Sequence, residues 1–183
     1  MRPLTDDETK LVFSKLEKFV GRDGIKSMLS RPDETYSLRL HGKRVFYVSE
    51  TQIRNATSFS RDKLVSLGTC VGKITHANRF HLTVHFLDVM AQFAKHKVWL
   101  KSSAEMSFLY GSHVTKVGIA KVSDGIPQYA GVVVFSSAAT PVALGFGVAA
   151  QPSDALGALE PTAVFVLNQG DIGEWLRGES LMS

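Results

Sequence analysis

Between Lys97 and Lys121 the chain reads KVWLKSSAEMSFLYGSHVTKVGIAK, with lysines at 97, 101, 116 and 121 against a single acid, Glu105. Tyr110 and His113 lie among them. Ammonium groups that hold phosphates as point charges, set beside a ring on which a base can stack, make a chemistry suited to unpaired nucleic acid. The residues selected by this reading are Lys97, Lys101, Tyr110, Ser112, His113, Lys116 and Lys121. Two alternatives stay open: the lysines form a solvated face, and Tyr110 belongs to the core.

A strand, a helix and a glycine turn must position these groups. The pattern predicts a helix over Ser103 to Leu109, with Ser103 as N-cap and Ala104, Met106, Phe108 and Leu109 on its buried side. Gly111 ends it, in the positive-φ conformation that a helix exit favours. The turn Gly111-Ser112-His113 then presents backbone N–H groups beside Lys116.

The chain has 183 residues, 44% of them hydrophobic, enough for one large domain or two small ones. A net charge of +4 and an isoelectric point near 9.2 favour a polyanionic partner. The charge is unevenly spread: residues 1–94 carry 15 Lys+Arg against 10 Asp+Glu, residues 95–121 carry 5 against 1, and residues 122–183 carry 1 against 6. One cysteine, Cys70, cannot close an internal disulfide, and the first residues lack the apolar core of a signal peptide, so a reducing compartment is expected. No apolar run reaches the ~18–20 residues of a membrane span. There is no Lys/Arg block of the nuclear-localisation kind, although a 20.0 kDa chain can enter the nucleus by diffusion or with a partner.

Along the chain, Thr5 with Glu8 forms a capping-box pattern, and Leu11, Val12, Leu16, Phe19 and Val20 share one helical face until Gly21. A shorter helix, Ile25 to Leu29, stops before Arg31-Pro32. Tyr36, Leu38 and Leu40, then Val45 and Tyr47, alternate with polar residues around His41-Gly42, as in a β-hairpin. A short helix is predicted at Thr51 to Ala56, then strands at Leu64 to Ile74 and Phe80 to Phe86 around the turn His76 to Arg79, and a closing helix at Leu87 to Ala94. These elements predict an antiparallel sheet of four or five strands with helices on it. The domain boundary is placed there, giving domains 1–94 and 95–183. In the second, strands are predicted at Val117 to Val122, Gly131 to Phe135, Val142 to Ala149 and Ala163 to Leu167, a spacing that suggests a small barrel. A last helical turn, Asp171 to Arg177, would bury Ile172, Trp175 and Leu176. The fold class is α+β.

Catalytic motifs fail on inspection. Gly68-Thr69-Cys70-Val71-Gly72-Lys73 is one residue short of a nucleotide-triphosphate loop, and Ile74 stands where Ser or Thr should hold magnesium. Gly145-x-Gly147 fits a dinucleotide pattern, yet Gln151-Pro152 occupies the place of the helix that pattern requires; glycines permitting a bulge or close backbone approach are the better reading. His81 and His85, on an alternating strand pattern, would lie ~13 Å apart, too far to share one metal ion, and with Lys73 and Arg79 they could extend a basic face. Cys70 sits in an apolar run with nothing to lower its pKa. No cofactor, metal or catalytic residue is expected.

Longer words carry a resemblance: Met1-Arg2-Pro3-Leu4-Thr5, Arg31-Pro32-Asp33, Tyr47-Val48-Ser49-Glu50, Lys63 through Cys70, Ser107-Phe108-Leu109-Tyr110-Gly111, Gly131-Val132-Val133-Val134 and Leu144 through Ala150. In order and over essentially the whole chain they resemble the eukaryotic 60S ribosomal subunit biogenesis family Nip-seven. The resemblance implies an α/β N-terminal domain followed by a PUA domain, a small RNA-binding β-barrel. It further implies a non-catalytic factor of nucleus and nucleolus, some of it cytoplasmic, needed for pre-rRNA processing and 60S assembly. Its partners would be pre-rRNA, uridine-rich single-stranded RNA and other pre-60S factors, with no membrane, the protein itself being a monomer. In PUA domains the helix and glycine turn after the first strand touch RNA, which falls here on Ser103 to Lys116. Some archaeal relatives carry a basic cluster near the last strands; Gln151 to Pro161 here has no Lys or Arg. The competing functions are a protein adaptor with incidental RNA affinity and an RNA-modification enzyme with a PUA appendage.

Overall fold

The structure, a computed structural model, describes residues 1–60 and 63–178. They divide into two compact units, Met1–Val89 and the chain from Met90 onward.

The first unit begins with an edge strand, β1 (Arg2–Pro3), and helix α1 (Asp6–Leu29). The predicted capping box is present: the Glu8 N–H donates to Thr5 Oγ1 at 3.3 Å and the Thr5 N–H donates to Glu8 Oε2 at 2.9 Å. Both guanidinium arms of Arg2 also donate to Glu8, at 2.8 and 2.6 Å, tying β1 to the helix start. These Arg2 bonds first, and the Thr5 backbone second, hold the Glu8 carboxyl down at about 2. Val12, Leu16, Phe19 and Val20 are buried; the helix breaks at Gly21 (φ 72) and resumes to bury Ile25 and Met28.

Strands β2 (Tyr36–His41), β3 (Arg44–Ser49), β4 (Thr69–Ile74) and β5 (Phe80–Leu82) follow β1 in the order β1-β2-β3-β4-β5, every pair antiparallel, with helix α2 (Glu50–Ala56) after β3. At its centre Tyr47 stacks flat on Tyr36 (4.5 Å, 3°) and meets Phe86 edge-on, while the Arg31 guanidinium lies 5.1 and 5.6 Å from the two tyrosine rings. The Tyr47 hydroxyl donates to the Met28 carbonyl, joining β3 to the end of α1, and burial pushes the phenol up to about 12. Two predicted strands prove shorter. Residues 64–68 are irregular, with Val65 84% exposed and Gly68 at φ 74, so β4 starts at Thr69. After Leu82 the Thr83 hydroxyl donates to the Cys70 carbonyl and the chain winds into a 3-10 turn, Val84–Phe86, which buries Val84 and Phe86 by a different period. The helix α3 (Leu87–Gln92) ends two residues before the predicted Ala94.

The second unit contains β6 (Lys97–Leu100), α4 (Ser102–Leu109), β7 (Val114–Thr115), β8 (Ile119–Val122), β9 (Gly131–Ser136), β10 (Ala143–Ala149), β11 (Val164–Asp171) and α5 (Glu174–Arg177). Its sheet runs β7-β11-β10-β9-β6-β8, antiparallel except for the parallel pair β6–β9. β7 and β8 stand at opposite ends of that order, yet only the 3-10 turn Lys116–Gly118 separates them in sequence. The sheet must therefore curl until its ends approach, which makes a nearly closed barrel. The predicted strand Val117 to Val122 is thus a turn followed by a four-residue strand. Val98, Leu100, Val132, Val134, Phe165 and Phe108 of α4 fill the interior. A Cβ at Gly145 would lie 2.4 Å from the Gly170 carbonyl, and one at Gly147 2.3 Å from that of Leu167, beside a bulge between Phe146 and Gly147; both glycines serve close strand approach.

The end of β11 positions α4. Asp171, 2% exposed, receives two 3.0 Å bonds from Arg177 Nη2 and a third from Asn168 Nδ2. Asn168 Nδ2 also points at the Phe108 carbonyl (3.2 Å), and Arg177 Nη1 donates to that of Leu109, so carbonyls freed at the end of α4 find donors. The predicted apolar docking of α5 is corrected by this arrangement: Ile172 packs on the core, but Trp175 is 47% and Leu176 87% exposed, because the single turn is oriented by Arg177 rather than by its apolar side chains.

Two outcomes follow for stability. Because the folded Glu8 carboxyl lies below its unfolded value, its contribution is complete above the ordinary carboxylate range and is lost as pH falls from there towards about 2. Glu8→Gln should therefore lower Tm by roughly 1–2 °C at pH 7, with parent and variant converging in acid, as checked by thermal melts across pH. Asp171→Ala should cost about 2–4 kcal/mol by stranding Arg177 and Asn168. Both tryptophans, Trp99 and Trp175, lie in this unit, so urea unfolding followed by their fluorescence reads the loss directly.

Candidate nucleic-acid interface

α4 starts one residue earlier than predicted. Lys101, not Ser103, is the N-cap, and it provides no side-chain cap. Its backbone N–H donates to the Gly118 carbonyl at 2.9 Å and its Nζ to the Val117 carbonyl at 2.8 Å, so helix start and β7–β8 turn are joined twice. Of the four side chains predicted to be buried, Phe108 is buried and Ala104 and Leu109 are partly covered, whereas Met106 is 58% exposed. Gly111 adopts φ 92 at the helix exit as predicted.

Between α4 and the segment from His113 to Gly118 lies a cleft of about 220 Å³. Leu100 and Phe108 form its apolar base, and Ser103, Ser107, His113 and Thr115 supply polar groups around it. His113 Nδ1 accepts a 3.2 Å bond from the Asn168 backbone N–H, so in the neutral ring the proton sits on Nε2, which is then a donor. The Ser112 carbonyl faces Asn168 Nδ2 at 3.5 Å and the Ser112 N–H donates to Ser107, which fixes the turn.

The predicted lysines separate into two groups. Lys101 and Lys116 each adjoin in the chain residues that line the cleft, but neither lines it itself. Lys116 Nζ donates to the carbonyls of Gly157 (2.9 Å) and Leu159 (2.6 Å), holding the 3-10 segment Ser153–Ala158. Lys97 and Lys121 stand on the outer side of the sheet, where Lys97 Nζ is 5.6 Å from the Phe135 ring and Lys121 Nζ 5.2 Å from that of Trp99. Trp99 and Phe135 stack at 6.0 Å, so cations and rings alternate across β8, β6 and β9. Four strand positions put Lys97 ~13 Å from Lys101. None of the four ammonium groups meets a carboxylate among the described residues. Tyr110, open in the sequence between ring and core, is 72% exposed at the end of α4.

Ser103, Ser107, Thr115 and Asn168 were not selected from sequence. Ser103 and Ser107 are four apart on one helix, a readable signal of a shared face. Asn168, in contrast, comes from a strand 55 residues beyond His113 and nothing local marks it.

The other chemical candidates are apart. His81 is exposed on β5, while His85, predicted on the same strand, lies in the 3-10 turn, its pKa lowered by burial and by Arg44. Burial pushes the Cys70 thiol above its ordinary range. Among the described residues no group of three or more His, Cys, Asp or Glu could hold a metal ion, and no helix is long and apolar enough to cross a membrane.

Residues 1–84 match the family profile described as NIP7/UPF0113, pre-PUA domain, and residues 96–180 the UPF0113 PUA domain. Over all 183 residues of both chains, the sequence is 51% identical to a 60S ribosome subunit biogenesis protein NIP7 homolog of Xenopus tropicalis and 48% identical to one of Mus musculus. Among solved structures, a PUA domain from Aeropyrum pernix K1 superposes with a TM-score of 0.61 at 16% identity, covering 96% of this chain and 87% of that one. A conserved PUA domain protein from Thermoplasma acidophilum gives 0.56 at 13% identity, covering 96% and 95%. These likenesses show the fold. With both domain profiles matched in order and about half the residues shared with full-length relatives, the chain belongs to the NIP7/UPF0113 family.

Proposed function

We propose that this protein is a non-catalytic RNA-binding assembly factor for pre-rRNA processing and 60S subunit biogenesis. It works as a monomer in the nucleus and nucleolus, partly in the cytoplasm, and binds other pre-60S factors as well as pre-rRNA. Residues 1–94 are its N-terminal domain and residues 95–183 its PUA RNA-binding domain. Uridine-rich single-stranded RNA enters the cleft beside α4. The relatives' names support the biological role. The observation that carries the chemistry is the cleft itself, with the Ser103, Ser107 and Thr115 hydroxyls and the His113 Nε2 donor; next to its lining residues in the chain are Lys101 and Lys116, whose ammonium groups meet no carboxylate among the described residues, and Tyr110 is exposed at the end of α4.

In this reading Lys101 and Lys116 hold phosphates, Ser112 and His113 meet polar edges, and Tyr110 stacks a base. Lys97 and Lys121 extend the contact along the outer face. No catalytic residue is assigned: burial raises the Cys70 thiol above its ordinary range, which disfavours the thiolate that a nucleophile near His81 and His85 would need.

Fluorescence anisotropy with labelled uridine and adenosine decamers, titrated across salt, tests this. Tyr110→Ala should weaken uridine binding by about tenfold, the loss of one stacked base. Lys101→Glu should weaken it and flatten the salt dependence by about one phosphate contact. Equal binding of both decamers would remove the uridine preference, and unchanged binding by folded variants would move the RNA site away from α4.

A further inference from the structure

The sheet of the first unit carries a charge pattern that the cleft does not use. In its pairing register His41 lies opposite Arg44, Arg44 opposite Lys73, and Lys73 opposite His81. Residues paired across antiparallel strands project from the same face. Four strands, β2 to β5, thus each present one basic side chain in a single row, stepping by the ~4.8 Å between strands. Arg44, Lys73 and His81 are exposed and His41 is half-exposed. The row ends beside two hairpin tips, where Lys43 Nζ touches His76 Nε2 and exposed Arg79 follows.

No acid answers these charges. Residues 35–49 and 63–87, which form all four strands and their turns, contain no Asp or Glu. Among the described residues neither Arg44 nor Lys73 forms an ion pair. Like charges directly opposite one another destabilise a sheet, so the Arg44–Lys73 pair weakens the fold unless an anion lies across it. The ligand must be extended and repeatedly charged, because the basic groups are spread over four strands rather than converged on a point. No large exposed aromatic ring stands on β2 to β5, so the row can hold phosphates but cannot stack bases. A duplex, with its bases stacked inside and its phosphates outside, fits both conditions.

We infer that the row His41–Arg44–Lys73–His81 is a second RNA contact that grips the phosphate backbone of an RNA duplex without reading its bases. This rests on the proposed RNA-binding role but on a different unit of the chain from the α4 cleft.

The test uses the full chain with two labelled probes, a 20-base-pair RNA duplex and a uridine decamer. Arg44→Gln/Lys73→Gln should weaken duplex binding by about tenfold near 100 mM salt and make the salt slope shallower by about two contacts. Decamer binding should stay within about twofold, since unpaired bases are read elsewhere. Thermal midpoint is the fold control, and it should hold or rise because a repulsive pair has been removed. Lys18→Gln/Lys26→Gln on α1 removes the same charge elsewhere and should leave duplex affinity unchanged. The inference is overturned if the parent binds no duplex, if the row variant binds it like the parent, or if the α1 variant loses as much. Loss of duplex binding in the row variant alone, with no uridine binding in the parent, would keep the row and sink the cleft. The reverse pattern would keep the cleft and sink the row.

Discussion

Barrel closure is the constraint on which the C-terminal unit depends. The two outermost strands of a six-stranded sheet, β7 and β8, are joined by Lys116–Gly118, so the sheet has no freedom to remain open. Everything that forms the cleft follows from that short link. Its Val117 carbonyl receives Lys101, its first residue is Lys116, and its proximity to α4 leaves the space that Ser103, Ser107, His113 and Thr115 line. The opposite wall is fixed from β11, where buried Asp171 organises Asn168 and Arg177 against the carbonyls at the end of α4. A buried carboxylate is costly unless it is paired and hydrogen-bonded; here both its oxygens accept bonds, and the guanidinium it holds reaches on to the helix end.

What the sequence made legible was what depends on local period and on caps. Thr5 and Glu8 form their box, Gly111 turns at positive φ, and the hairpin of β2 and β3 and the barrel strands β9 and β10 appear where alternation placed them within a residue or two, while β11 runs on to Asp171, four residues past the predicted end. Misreadings arose where one apolar period hid two structures. Phe80, Leu82, Val84 and Phe86 alternate without a fault, yet a threonine hydroxyl bound to the Cys70 carbonyl ends the strand between the second and third. Likewise Ile172, Trp175 and Leu176 suggest an apolar face, but a polar clamp orients the turn and leaves two of the three exposed. The residues that line the cleft all fall between Lys97 and Lys121, a stretch marked in the sequence by charge and not by shape. Asn168, which sets the His113 tautomer, lies in a strand that only tertiary folding brings there. Nor could spacing show that Lys97 and Lys121 would face rings instead of the cleft.

Within each unit, positive charge is matched in some elements and left unmatched in others. Some basic groups of α1, α2 and α5 are matched by carboxylates, as in Arg22–Glu17, Arg54–Glu50 and Arg177–Asp171. The strands β2 to β5 are free of acids, and residues 95–121 have one. Exposed ion pairs such as Arg22–Glu17 and Arg54–Glu50 contribute little to stability, ~0–1 kcal/mol each, so the unmatched regions forgo little by lacking them. They retain long-range attraction for polyanions, which exposed pairs would cancel.

Lys101 and Lys116 are held differently from the lysines of a solvated face. A solvated lysine is mobile, and immobilising it on a ligand costs ~0.5–1.5 kcal/mol in side-chain freedom. Lys116 has two carbonyl acceptors and Lys101 one, so most of that ordering is complete before any ligand arrives. The acceptors are neutral carbonyls, which orient an ammonium without cancelling its charge, and an ammonium has three donors. These bonds engage two of the three N–H groups of Lys116 and one of the three of Lys101. Carboxylate partners would have fixed the same lysines equally well and cancelled their field; carbonyls fix them and leave it intact.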